Sequence, residues 1–172
     1  GPAGGGESLL AADQDHAIIY GDDSAASTDQ DQHAVEDYFL TLGGVIADHL
    51  DEAGIPYCQG KGMSSEKKWC RSRTGWRQAI SSWVKQGRPD DLLSVDIFFD
   101  CEAVYGDLAI AQDLFHAMQS KAIRRPDFLK KLAGNIGNHH AGTTFFGRIK
   151  TEEGRYNIKQ YLLLPLIETL RV

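Results

Sequence analysis

Positive charge, sulfur and long apolar runs are all scarce in this chain. Lys and Arg number 18 against 24 Asp and Glu, a formal net charge of −6 over 172 residues. That balance excludes broad, non-specific binding to nucleic acid, which needs a cationic surface to displace counterions from phosphates. A polyanion would have to be held locally, by a few basic groups or through a divalent cation. The three cysteines, Cys58, Cys70 and Cys101, are an odd number with no Cys-x-x-Cys pair. A disulfide framework and a zinc knuckle are therefore not indicated, and a reducing cytoplasm is the expected compartment. No apolar run approaches the roughly 18 residues of a membrane-spanning helix, and the Gly-rich start lacks the charged and apolar regions of a signal peptide.

What is present suits a folded protein. Apolar residues make up 42% and charged residues 24%, a globular balance that lets a chain of this length bury a core without staples. After the Gly-rich residues 1 to 6, "DHAIIY" reads as a short buried strand ended by the turn-forming "GDDSAAS". From Asp29 the period becomes helical, through Val35, Tyr38, Phe39, Leu42, Val45, Ile46 and Leu50, until Gly54 and Pro56 stop it. Here Asp29 is placed to cap, with Gln32 completing a capping-box-like pair. A short strand is expected at about 55–58, followed by a loop. Helical spacing returns at Trp76, Ala79, Ile80 and Trp83 and ends at Gly87 and Pro89. "LLSVDIFFDCEAVYGD" is the most strand-like run, and Asp107 can cap a helix with the apolar face Leu108, Ala111, Leu114, Phe115 and Met118.

Strand, helix, strand, helix, strand, helix is an α/β order. Beyond "RRPDF" the pattern changes to a helix over roughly 126 to 138, a strand-like "TTFFGRI", a turn at "EEG" and a last helix with Pro165 in its first turn. That helix is still amphipathic at Val172, as in a chain that continues further. The expected organisation is an α/β core over 1–122 and a mainly helical segment over 123–172.

Two acidic sets carry the chemistry. In an extended segment residues i and i+2 share a side, so Asp13 and Asp15 present carboxylates from Cα atoms about 7 Å apart. Such a pair either holds one or two hard divalent cations or belongs to a solvated turn. Asp96 and Asp100 flank the "IFF" run. If that run is a strand beside "DHAIIY", three carboxylates converge; otherwise Asp96 faces solvent and Asp100 accepts backbone hydrogen bonds in a turn.

Taken together, the Gly-rich turn, Glu7, "DQDHAIIY", "YCQGKGMSS", the two following Trp residues and "DIFFD" with its later "YGD" resemble a known family. These segments are similar to the uridylyltransferase-like nucleotidyltransferase domains of the polymerase β superfamily. Within them they most resemble the bacterial signalling subgroup of unassigned substrate. "TEEGRYNIKQYLLLPL" resembles the family's helical C-terminal part. The resemblance implies a nucleotidyltransferase-like mixed sheet flanked by helices, followed by a mainly helical segment. It also implies Mg²⁺- or Mn²⁺-dependent transfer of a nucleotidyl group from a nucleoside triphosphate to an acceptor. Asp13, Asp15 and Asp100 would be the metal-binding and catalytic carboxylates, and Gly4, Gly5 and Gly6 the turn that holds the triphosphate. A protein acceptor and adjacent regulatory domains in a longer chain are implied as partners, since the best-understood relatives modify the nitrogen-regulatory PII protein.

The departures point the other way. Pro2 and Gly5 stand where the family has Ser and Arg, which removes two phosphate donors. The alternative expectation is a weakened or inactive nucleotide-binding regulatory domain. Lys61, among glycines, is either a compensating phosphate contact or an ordinary loop lysine, and "GKG" is not a P-loop. Trp69, Trp76 and Trp83 recur every seven residues, as a stacking surface for bases or, the better fit to the helical face, as core. His139 and His140 point about 100° apart on a helix and do not readily share a metal. Arg124, Arg125, Lys130 and Lys131 form a solvated basic face or a docking site for an acidic partner. Cys58 and Cys70 have no paired base and read as small packed residues.

Overall fold

A computed structural model describes residues 13–22 and 28–136. The chain divides into two compact units, 1–121 and 122–172. In the first, the extended run from Asp13 leads into strand β1 (Ile18–Tyr20), and helix α1 (Asp29–Glu52) carries the chain back to strand β2 (Cys70–Ser72). The two strands pair in parallel, with Ile18 opposite Cys70 and Tyr20 opposite Ser72. A parallel pair needs a long crossover, and α1 supplies it. Helices α2 (Arg73–Gln86), α3 (Pro89–Phe99) and α4 (Leu108–Ile123) follow. The described part of the second unit holds α5 (Pro126–Ile136), close to the helix expected there. "TTFFGRI", the "EEG" turn, the last helix, the Gly-rich turn and His139 and His140 lie outside the described residues.

Local chemistry sets the helix ends. Thr28 caps α1: its hydroxyl oxygen accepts the Asp31 N–H at 3.2 Å, and the Asp31 carboxylate accepts the Thr28 N–H at 3.2 Å. The cap is thus one residue earlier than the sequence suggests, and Asp31, not Gln32, closes the box. Asp29 and Asp31 lie in the first turn, where the helix dipole favours anions. Gly54, at φ 92°, takes the left-handed turn that ends the helix. Ser72 caps α2 through the Gly75 N–H at 3.0 Å, and Gly87 ends it at φ 55°. Asp107 accepts the Ala109 N–H at 3.0 Å at the start of α4, as its position predicts.

The strand expected in "LLSVDIFFD" is instead the helix α3. Pro89 occupies its first turn and Asp90 and Asp91 follow, a helix start that outweighs the β-branched run. The Arg88 N–H and guanidinium donate to the Asp91 carboxylate, Nε at 2.8 Å. Leu92, Val95 and Phe98 are buried while Leu93 and Phe99 are exposed, a period of three and not of two. Asp96 and Asp100 therefore do not flank a strand: Asp96 lies on the helix and Asp100 is its C-cap. The expected strand at about 55–58 is loop, and β2 at Cys70–Ser72 takes the place beside β1. Among the described residues the sheet has these two parallel strands and is not mixed.

The three tryptophans are core. Trp69, Trp76 and Trp83 are all buried and lie with ring centroids 6.1 to 6.3 Å apart. Phe98 of α3 stands 5.3 Å from Trp76 and 5.0 Å from Phe115 of α4. Trp76 satisfies its buried indole by donating to the Ile18 carbonyl at 2.9 Å, which ties α2 to β1.

Two adjacent glycines of α1 have opposite surroundings. A Cβ at Gly43 would collide with the Ser64 carbonyl group, whereas a Cβ at Gly44 meets nothing within 4 Å. Gly44→Ala is expected to stabilise the protein by about 0.5–1 kcal/mol through helix propensity. Gly43→Ala is expected to destabilise it by about 1–3 kcal/mol through overpacking. Urea unfolding of the two variants checks the opposite signs.

Candidate active site

Residues 13–17 run extended along the loop that follows α1. The Gln14 N–H donates to the Pro56 carbonyl and the His16 N–H to the Gly62 carbonyl, both at 3.0 Å; Ile18 then bonds the Trp69 carbonyl at 2.9 Å. Side chains alternate accordingly. Gln14 is only 3% exposed, whereas Asp15 is exposed and Asp13 half-buried. The acids thus flank a glutamine that turns into the protein.

A buried amide must find partners, and Gln14 finds three. Its Nε2 donates to the carbonyls of Ala47 at 2.9 Å and Ile55 at 2.7 Å. Its Oε1 is left to accept from His16 Nε2 at 3.1 Å. That fixes the imidazole: Nε2 carries the proton and Nδ1 accepts, from the Ser64 hydroxyl at 2.8 Å and the Ser64 N–H at 3.2 Å. Burial lowers the His16 pKa, against a smaller raising effect of the Asp15 charge, so the neutral ring is favoured. Ser64 packs against Gly43, which anchors the network on α1.

The Asp15 carboxylate sits where a side chain on Gly62 would be. A Cβ at Gly62 would lie 2.5 Å from Asp15 Oδ1 and 3.5 Å from Cys58 Sγ. Lys61, the neighbour of that glycine, is exposed and has φ 57°, an uncommon conformation for a residue with a side chain. Asp100 is half-buried at the end of α3. Burial pushes the Cys101 thiol pKa up, and the charges of Asp100 and Asp15 add to that rise. Among the described residues, no group of three or more His, Cys, Asp and Glu side chains is gathered closely enough to hold a metal ion by itself.

A groove of about 710 Å³ opens at the other end of the strands, lined by Tyr20, Glu36, Lys67, Arg71 and Thr74 among others. Five residues of extended chain, roughly 16 Å, separate Asp15 from Tyr20, so groove and acids are distinct places. Gln14, His16, Ser64, Gly43 and Gly62 escaped the sequence reading. The two-residue period that pairs Asp13 with Asp15 also turns Gln14 inward, and that was the available signal.

A small parallel sheet with packed helices and an acidic pair at the entrance to its first strand is compatible with the α/β fold of nucleotidyltransferases. Residues 1–90 match the family model described as "Putative nucleotidyltransferase DUF294". The match spans just over half of the chain, and the chain belongs to that family. No curated protein and no solved structure matches it.

The contact at Gly62 involves the far end of a side chain, not backbone. Gly62→Ala is accordingly expected to change unfolding free energy by less than about 1 kcal/mol while rotating the Asp15 carboxylate away from its wild-type position in a crystal structure. A loss of several kcal/mol, or an unmoved carboxylate, contradicts this account.

Proposed function

We propose that the chain transfers a nucleotidyl group from a nucleoside triphosphate to an acceptor, with Asp13 and Asp15 as cation ligands and Asp100 as the third carboxylate. The observation that carries the reading is the Gly62 cradle: an exposed hard-oxygen donor, Asp15, is given room by a missing Cβ beside a second acid on the same run. Two carboxylates are a sufficient protein share for Mg²⁺, which is commonly bound by one or two of them together with substrate phosphates. A bound Mg²⁺ or Mn²⁺ would neutralise charge on the triphosphate and on the leaving pyrophosphate.

The chain's own groups do the rest. In the transfer, an acceptor oxygen forms a bond to the α-phosphorus, the bond from that phosphorus to the bridging oxygen breaks, and pyrophosphate leaves. Asp100 accepts the acceptor's proton. Gln14 and His16 hold the backbone of 13–16 in register so that both acids keep one side. Gly4, Gly5, Gly6 and Lys61 are the proposed contacts to the triphosphate. Uridylyltransferase-like specificity, a protein acceptor in a bacterial signalling pathway, adjacent regulatory domains and a cytoplasmic location belong to the same proposal. So does the division into a core over 1–122 and a helical segment over 123–172. Among the described residues no helix is long and apolar enough to cross a membrane.

Pro2 and Gly5, in place of Ser and Arg, favour a second reading, a nucleotide-binding regulatory domain with little or no transfer activity. Pyrophosphate release from each nucleoside triphosphate, with Mg²⁺ or Mn²⁺ and candidate acceptors, separates the two. Asp13→Asn combined with Asp15→Asn is expected to abolish metal-dependent nucleotide binding in calorimetry. Unchanged affinity in the double variant refutes the site.

A further inference from the structure

Helix α1 turns one side to the core and keeps an apolar stripe on another. Gly43 and Ala47 are buried, while Tyr38 is 65%, Leu42 37% and Val45 46% exposed. Spaced by four and then three residues, these three form one line turned away from the buried side. An exposed apolar stripe of this kind marks an interaction surface. Its surroundings carry one sign of charge: α1 holds seven Asp and Glu and no Lys or Arg, a formal charge of −7 against −6 for the entire chain. Asp37, Asp48 and Glu52 are exposed and lie on the solvent side of the stripe. A second α1 is disfavoured as the occupant, because the acids of the two helices would be brought together. The surface that fits is apolar and rimmed by cations.

The chain carries such a surface at residues 123–131. Arg124, Arg125, Lys130 and Lys131, set against Asp127, give it a formal charge of +3, and all four basic residues are exposed. Between them Ile123 is 71% and Leu129 38% exposed. The Leu129 N–H donates to the Arg125 carbonyl at 3.1 Å, which places Leu129 one helical turn from Arg125. We propose that α1 of one copy docks on residues 123–131 of a second copy, with Tyr38, Leu42 and Val45 against Ile123 and Leu129 and the acidic rim against Arg124 and Lys130. The two surfaces differ, so the contact is head-to-tail. An apolar centre with a polar rim is the general anatomy of an interface. The inference goes beyond the nucleotidyl-transfer reading and stands without it.

Sedimentation velocity of the 172-residue chain tests the proposal. In dilute buffer the sedimentation coefficient is expected to rise with protein concentration through the micromolar range. It is expected to fall toward the monomer value in about 1 M salt, where charges are screened beyond about 3 Å. Tyr38→Ser is expected to weaken association about tenfold or more, as loss of an aromatic anchor does. Two charge reversals locate the contact. Asp37→Lys, Asp48→Lys and Glu52→Lys together turn the rim of the stripe basic, and Arg124→Glu with Lys130→Glu turns residues 123–131 acidic. Each variant alone is expected to stay monomeric. An equimolar mixture of the two is expected to associate again, since each rim then finds its opposite on the other variant, and that recovery also shows both to be folded. A wild-type chain that is monomeric at every concentration overturns the proposal. Association retained by Arg124→Glu with Lys130→Glu alone overturns it too, as does a mixture that remains monomeric.

Discussion

An amide buried in a protein interior has to be paired, and the pairing of Gln14 is the constraint on which this site depends. Three hydrogen bonds of 2.7 to 3.1 Å tie its side chain to α1, to Ile55 in the loop after α1 and to His16. Leaving any one of those groups unpaired in the interior costs about 1–3 kcal/mol. The glutamine therefore determines which way the extended run faces. With Gln14 inward, its neighbours Asp13 and Asp15 must be presented on the other side, and a slip of one residue would bury two carboxylates instead.

The rest of the first unit can be read as support for that placement. His16 passes the constraint to Ser64, and Ser64 approaches α1 closely because Gly43 has no side chain. Strand β2 and the Trp76 indole fix the far end of the same run through Ile18. The Asp15 carboxylate then lies in the space that a side chain on Gly62 would fill. Asp100 stands at a helix C-terminus, a position from which a carboxylate gains no stabilisation from the helix dipole.

Much of this was legible in the sequence, and the part that was not failed for identifiable reasons. The acidic pair, the strand after it, the ends of α1 and α2 and the buried tryptophans all follow from period and from Gly and Pro punctuation. The "SVDIFFD" run misled because its β-branched and aromatic residues favour a strand intrinsically, while Pro89, Asp90 and Asp91 start a helix whose apolar face, Leu92, Val95 and Phe98, packs on the tryptophans. Tertiary packing decided between them. Strand β2 was hidden because a three-residue "CRS" has too little alternation to detect. The contacts of Gly43 and Gly62 are long-range properties of the fold: each glycine makes room for a residue distant in sequence, and no local pattern marks that need. Asp29-Gln30-Asp31 repeats the tripeptide of the site and yet serves as the first turn of a helix, so the residues after a motif, not the motif itself, define its role.

The central claim is that Asp13 and Asp15 receive the cation and the triphosphate, and not the groove at the opposite end of the strands. A crystal structure with Mn²⁺ and a non-hydrolysable nucleoside triphosphate analogue, located by the anomalous signal of manganese, tests it most directly. The account predicts an ion about 2.0–2.4 Å from oxygens of both carboxylates, bridged to the phosphates. Nucleotide bound in the groove beside Tyr20 and Arg71, with no ion at Asp13 and Asp15, would contradict it.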